Sequence, residues 1–270
     1  MKKLFPAICM TLLAAALLGT STFAWFSMNT QVTATGMQVT AKTDTTYLLI
    51  SETNSSAEAI QTENATTVAL TVSDDQAKVY PCAPALNDTE VGYLTVASGH
   101  KTVDGADITT AGEKVTSATT ADTVTNWYTA NAAAPGASTI KADTARQLTS
   151  FAGYVIKKTV HLTVAKGANP ANNLSVTAAF TKKGDGSNIS AAKVLVTTSD
   201  GGIAILDSTT TTNTEEIKGG NTNLTDSTVL TVNIYIYYDG NNEAVNTNNA
   251  ANLAGATVAL TFNVDAVPAA

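Results

Sequence analysis

Cysteine is nearly absent from this chain, with Cys9 and Cys82 the only two in 270 residues. Cys9 falls in an N-terminal apolar run, and too few residues precede it for a lipid-attachment cysteine. Cys82 then has no partner within a processed chain, so a disulfide framework is excluded; a buried, inert thiol or an intermolecular bridge remains. Histidine is as scarce, with His100 and His161 far apart and no His-Glu-x-x-His pattern. A catalytic zinc normally takes three protein ligands, which argues against a zinc hydrolase. Charged residues make up only 14%, with 15 Lys and Arg against 22 Asp and Glu, a net charge of -7. Such a surface repels phosphate backbones, so nucleic acid is not an expected partner.

Motifs of catalysis are missing too. No Gly-x-Ser-x-Gly elbow occurs, and Ser98-Gly99-His100 reads as a loop tripeptide. Gly184-x-Gly186 and Gly201-Gly202 lack phosphate-loop spacing and sit where hairpin turns are expected. The chain therefore reads as a non-enzyme without a required cofactor. Calcium stays open, since Asp185, Ser187 and Asn188, or Asp239, Asn241, Asn242 and Glu243, place hard oxygens in turns. Neither run is an EF-hand loop, and turn formation explains both.

What the chain does have begins with a leader. Lys2 and Lys3 precede an apolar run from Leu4 to Leu18, followed by Gly19-Thr20-Ser21-Thr22-Phe23-Ala24. This is the charged, apolar and small-residue order of a secretory signal peptide, with Thr22 and Ala24 at the positions a signal peptidase reads. The expected cut falls between Ala24 and Trp25, which makes residues 1–24 the leader. The rest is then secreted, extracellular or on the cell surface. The other reading is a retained anchor, because Leu4 to Phe26 is long enough to cross a bilayer. Beyond Phe26 no segment is apolar enough to span one, so membrane contact is expected only through an uncleaved leader. The end, Val267-Pro268-Ala269-Ala270, carries no wall-sorting tail.

The rest of the chain alternates apolar with polar residues, the period of a strand with one face on a core. Leu230, Val232, Ile234 and Ile236 share one side of Val229 to Tyr238; Tyr235 and Tyr237 fall on the other, expected to be exposed. Asp239-Gly240 follows as a turn whose glycine admits positive φ. Similar faces are Val258, Leu260, Phe262 and Val264; Leu174, Val176, Ala178 and Phe180; and Ile156, Val160, Leu162 and Val164, interrupted by Lys158. Shorter candidates are Tyr47 to Ser51, Val68 to Val72, Val194 to Thr197 and Ile203 to Leu206. His161 shares a polar face with Thr159 and Thr163, which predicts a solvated imidazole. No sustained helical stripe appears past the leader.

Many strands with Gly, Asn and Asp turns predict an all-β fold, an antiparallel β-sandwich of jelly-roll type spanning residues 25–270. Residues 89–150, poor in large apolar side chains, read as a loop-rich insertion anchored by Trp127 and Tyr128, or as a small second domain. In the first strand Val32 and Ala34 share one parity and Met37, Val39 and Ala41 the other. Gly36 stands at the switch, as in a β-bulge or simply a bent edge strand.

Thr22-Phe23-Ala24-Trp25-Phe26-Ser27, with Thr33-Ala34-Thr35-Gly36-Met37-Gln38-Val39-Thr40-Ala41-Lys42, resembles the leader and first strand of the TasA/camelysin family. Val232 to Gly240 and the closing Val258 to Val264 are similar to that family's last two strands. Where the family often has an acidic residue after the aromatic pair, this chain has Ser27-Met28-Asn29. The resemblance implies processing by a dedicated signal peptidase and a jelly-roll subunit of extracellular biofilm-matrix fibres. Self-assembly would run head to tail, the freed N-terminal segment of one copy completing the sheet of the next. Val32, Ala34, Gly36, Met37 and Val39 would form that donor strand. The family also brings a metalloprotease reading, against which the ligand count stands. A third class is a monomeric adhesin or glycan-binding module, with Tyr235 and Tyr237 stacking on a sugar ring.

Overall fold

A computed structural model describes residues 48–68, 70, 79–86, 101–129, 146–182, 191–208, 212–218, 220, 223–242 and 256–267. In chain order the elements are β1 (Leu48–Ser51), α1 (Ala57–Glu63), β2 (Cys82–Pro84), α2 (Ala118–Asp122) and β3 (Trp127–Thr129). Then follow β4 (Ile156–Val164), β5 (Ala171–Lys182), β6 (Ala192–Thr198), β7 (Ile203–Asp207), β8 (Thr212–Glu216), β9 (Leu230–Tyr238) and β10 (Ala256–Ala266). The described chain is all-β, its strands paired antiparallel, with few and short helices.

Alternation in the sequence becomes two facing sheets. One has the order β1-β4-β9-β6-β7 and the other β10-β5-β8, while β2 and β3 form a separate ribbon. Leu230, Val232, Ile234 and Ile236 of β9 meet Val176, Ala178 and Phe180 of β5 and Val258, Leu260 and Phe262 of β10 in one core. Each fully buried side chain of this size stabilises the fold by about 1.5–3 kcal/mol. Lys158 stands opposite Ile234 and is half-buried where the β4 face is interrupted. Val68 and Leu70 pack on this core outside any strand.

The sheet β10-β5-β8 contains a bulge. Asn263 faces Ser175 and Asp265 faces Asn172, so Asn173 and Leu174 together oppose Val264. Asn173 takes φ 51, a left-handed conformation asparagine tolerates, and its Nδ2 donates to Asp265 Oδ2 at 3.2 Å. Along one side the two sheets are joined, because Ile203, the first residue of β7, and Lys218 beyond β8 exchange backbone hydrogen bonds of 2.8 and 3.0 Å. The strand orders therefore leave β1 and β10 as terminal strands at the other side among the described residues.

α1 is too short for a hydrophobic stripe and is held by its ends. Ser56 accepts from the Ala59 N–H, and Asn64 at φ 50 closes the C-terminus by donating to Ile60 O at 2.9 Å. Gln61 Nε2 then ties the helix to the sheet by donating to Val164 O at 3.0 Å.

Candidate functional site: a capped sheet face and a terminal strand

Both faces of β9 are buried, which corrects the expectation that Tyr235 and Tyr237 are exposed: they are 0% and 1% accessible. With Leu195 they form a second core against Cys82, Val115, Ala121, Trp127, Leu148 and Val155. Segments of the 101–129 and 146–155 stretches thus cover the outer face of the larger sheet. Trp127 is fully buried, its Nε1 donating to Ala121 O at 2.9 Å, and Tyr128 is buried beside it. The Trp127 ring lies 5.7 Å from that of Tyr235 and edge-on to Phe151 at 5.8 Å. Gly112 permits the close approach of this cap. A Cβ there would lie 2.7 Å from the Tyr128 hydroxyl, which accepts the Gly112 N–H at 3.0 Å.

The rim of the cap is polar. Asp122, at the end of α2, accepts a hydrogen bond from the Tyr235 hydroxyl and pairs with Lys157 of β4. Lys157 Nζ also lies 5.7 Å from the Tyr235 ring centroid. Burial first, and the Asp122 carboxylate second, push the Tyr235 phenol well above its ordinary pKa. Tyr237 is pushed up by burial, then by Asp239 and Cys82, and its hydroxyl has no hydrogen-bond partner among the described residues. Sequence periodicity missed this face because it assigns the polar side of a strand to water. Two bulky aromatics on that side, with Trp127 and Phe151 upstream, were the available signal.

Cys82 is a buried free thiol, raised well above its ordinary pKa by burial and then by Asp239. The Asp239-Gly240 turn forms, with Asn242 N–H donating to Asp239 O at 3.0 Å, but Gly240 does not use positive φ. Asp239 Oδ1 accepts the Asn241 N–H at 3.0 Å and its Oδ2 pairs with Lys193. Glu243 and the Asp185, Ser187 and Asn188 run lie outside the described residues. Among those described, no group of three His, Cys, Asp or Glu is placed to hold a metal. His161 is half-buried rather than solvated, with Nδ1 3.1 Å from Thr231 Oγ1, and burial lowers its pKa.

A cavity of about 120 Å³ opens beside the β5 bulge, lined by Asn173, Asp200, Glu216 and Asn223 over Leu224 and Leu230. A second cleft is bounded by Leu86, Val115, Ile203 and Ile205 together with Glu215 and Lys218. In the first, the Thr198 hydroxyl donates to Asp200 Oδ1 and accepts the Gly202 N–H at 2.8 Å.

The terminal strand β10 pairs with β5 from Ala256 opposite Lys182 to Ala266 opposite Ala171. Its inward side chains Val258, Leu260 and Phe262 are buried, whereas Thr257 and Asp265 are exposed. The expected cleavage residues Thr22, Ala24 and Trp25 and the expected donor residues Val32, Ala34, Gly36, Met37 and Val39 lie outside the described residues, as do His100 and Ser98. Among the described residues no helix is long and apolar enough to cross a membrane.

Fold and faces define an all-β protein of two packed antiparallel sheets, one of them capped on its outer side. No protein-family model, curated protein or solved structure matches the chain.

Proposed function

We propose that this chain is a structural, non-enzymatic subunit of an extracellular filament, assembled by donor-strand exchange after removal of its leader. The observation that carries the reading is β10, an eleven-residue strand that among the described residues ends the β10-β5-β8 sheet, which faces the sheet containing β1. A sheet end presents a row of amides and carbonyls that an extended segment satisfies. Val32 to Ala41 has nearly the length of β10 and lies upstream of β1, the terminal strand of the facing sheet. Main-chain hydrogen bonds would supply affinity, and Val32, Ala34, Met37 and Val39 would set register, Gly36 reversing the parity between the two halves. Each link is head to tail and open, so copies add as a filament.

The jelly-roll description belongs to this proposal. It rests on two antiparallel sheets around one core, not on strand order: β4 pairs with β9 and β5 with β10, whereas a wrapped hairpin would set β4 against β10. Leader and first-strand resemblance to the TasA/camelysin family supports the same assembly. The glycan-binding alternative loses its aromatic pair to the capped core. Deleting residues 27–41 from the processed protein tests the proposal: a folded monomer is expected by sedimentation and electron microscopy, and filaments from the truncated protein would overturn it.

A further inference from the structure

Three ion pairs join described residues, and one differs in burial. Side-chain exposures are 45% and 77% for Lys101 and Asp107, 33% and 39% for Lys157 and Asp122, but 27% and 11% for Lys193 and Asp239. Lys193 is the second residue of β6, directly opposite Tyr237 of β9, and Asp239 follows the end of β9. Lys193 Nζ lies 2.5 Å from Asp239 Oδ2.

The backbone around the pair is fixed. Asp239 N–H donates to Ala191 O at 2.7 Å and Gly240 N–H to Cys82 O at 3.0 Å. Around the carboxyl group stand the buried Tyr237 and Cys82, so water has little access. Asn241 N–H holds the other oxygen, Oδ1, at 3.0 Å.

We propose that Lys193 and Asp239 react to form an isopeptide bond, a covalent staple between β6 and β9. Proton transfer from Nζ to Oδ2 across this contact gives the reacting amine and carboxylic acid. The Nζ lone pair then attacks Cγ, and charge developing on Oδ1 falls on the Asn241 N–H, which acts as an oxyanion donor. In the tetrahedral intermediate a second proton passes from Nζ to Oδ2. The Cγ–Oδ2 bond breaks and Oδ2 leaves as water. One ammonium and one carboxylate give one amide and one water, so charge and atoms balance without an oxidant or other reagent. Strand register supplies the driving force, because well-oriented intramolecular partners reach effective concentrations of about 10⁵–10⁸ M. A chain with no possible internal disulfide after processing gains in this way a cross-link that reduction does not break.

Intact-mass spectrometry of the purified full chain, read against an N-terminus fixed by sequencing, tests the proposal. The wild-type protein should be lighter than its sequence by one water, and a tryptic digest should contain a branched species joining the Lys193 and Asp239 peptides. Lys193→Met and Asp239→Ala should each show the full sequence mass and no branched species, and Asp239→Asn should lose one ammonia instead. A wild-type mass equal to the sequence overturns the proposal, and this holds even where a variant fails to fold. So does a deficit of one water with the two peptides still separate, which marks a succinimide at Asp239-Gly240.

Discussion

Trp127 stands edge-on to Tyr237, their ring centroids 5.2 Å apart and their planes at 89°, and this contact joins the inserted cap to the central strand of the larger sheet. Positive ring edges against a negative ring face make such a pair favourable beyond the area it buries. Trp127→Ala should cost about 3–5 kcal/mol, since it opens a cavity among Tyr235, Tyr237 and Phe151. Urea denaturation checks this. A midpoint equal to that of the wild type would show that the cap contributes nothing to the fold.

Thiol chemistry offers a second check. Burial and the Asp239 carboxylate both disfavour the Cys82 thiolate. In the native protein Cys82 should resist alkylation at neutral pH and react only when denaturant opens the cap. Rapid labelling of folded protein, followed by mass, would contradict its placement.

Alkali should unfold the protein. The raised phenols of Tyr235 and Tyr237 ionise more readily in the unfolded chain, so their contribution is intact below the ordinary value of about 10 and lost as pH rises beyond it. His161 acts in the opposite direction: its lowered pKa gives stability present above about 6.5 and lost as pH falls. Tyrosinate absorbance should therefore rise in two stages, the later one coinciding with loss of β-sheet circular dichroism. A single stage with the sheet retained would contradict the buried phenols.

The turn between β6 and β7 gives a packing test. Gly202 donates its N–H to Thr198 Oγ1 at 2.8 Å, and a Cβ there would lie 2.5 Å from both Thr198 Oγ1 and Ile217 Cγ2. Gly202→Ala should destabilise by about 1–3 kcal/mol through overpacking. Gly201→Ala adds strain instead, because Gly201 sits at φ 95 with open space around its Cα. Calorimetry of both variants should show lowered midpoints, and an unchanged Gly202→Ala would mean that the turn relaxes freely.

Strands whose apolar residues recur every second position were legible in the sequence. Leu230 to Ile236, Val258 to Phe262 and Val176 to Phe180 all meet in the core. β8 was not legible, because Thr212-Asn213-Thr214-Glu215-Glu216 is polar throughout and forms an edge held by backbone pairing to β5. α1 and α2, of seven and five residues, are too short to display a 3.6-residue period. Capping residues Ser56 and Ser117 were the marks to look for. The capped face escaped notice for a different reason: burial on both sides of β9 depends on Cys82, Trp127, Leu148 and Val155 packing back from far earlier in the chain, and no local pattern carries that.

Negative-stain electron microscopy of the natively processed protein, with its N-terminus sequenced from the same sample, tests the filament account most directly. Filaments should appear from chains that begin close to Trp25, within one or two residues. A protein that keeps its hydrophobic start, or one that is cut there and stays monomeric at high concentration, would contradict the account.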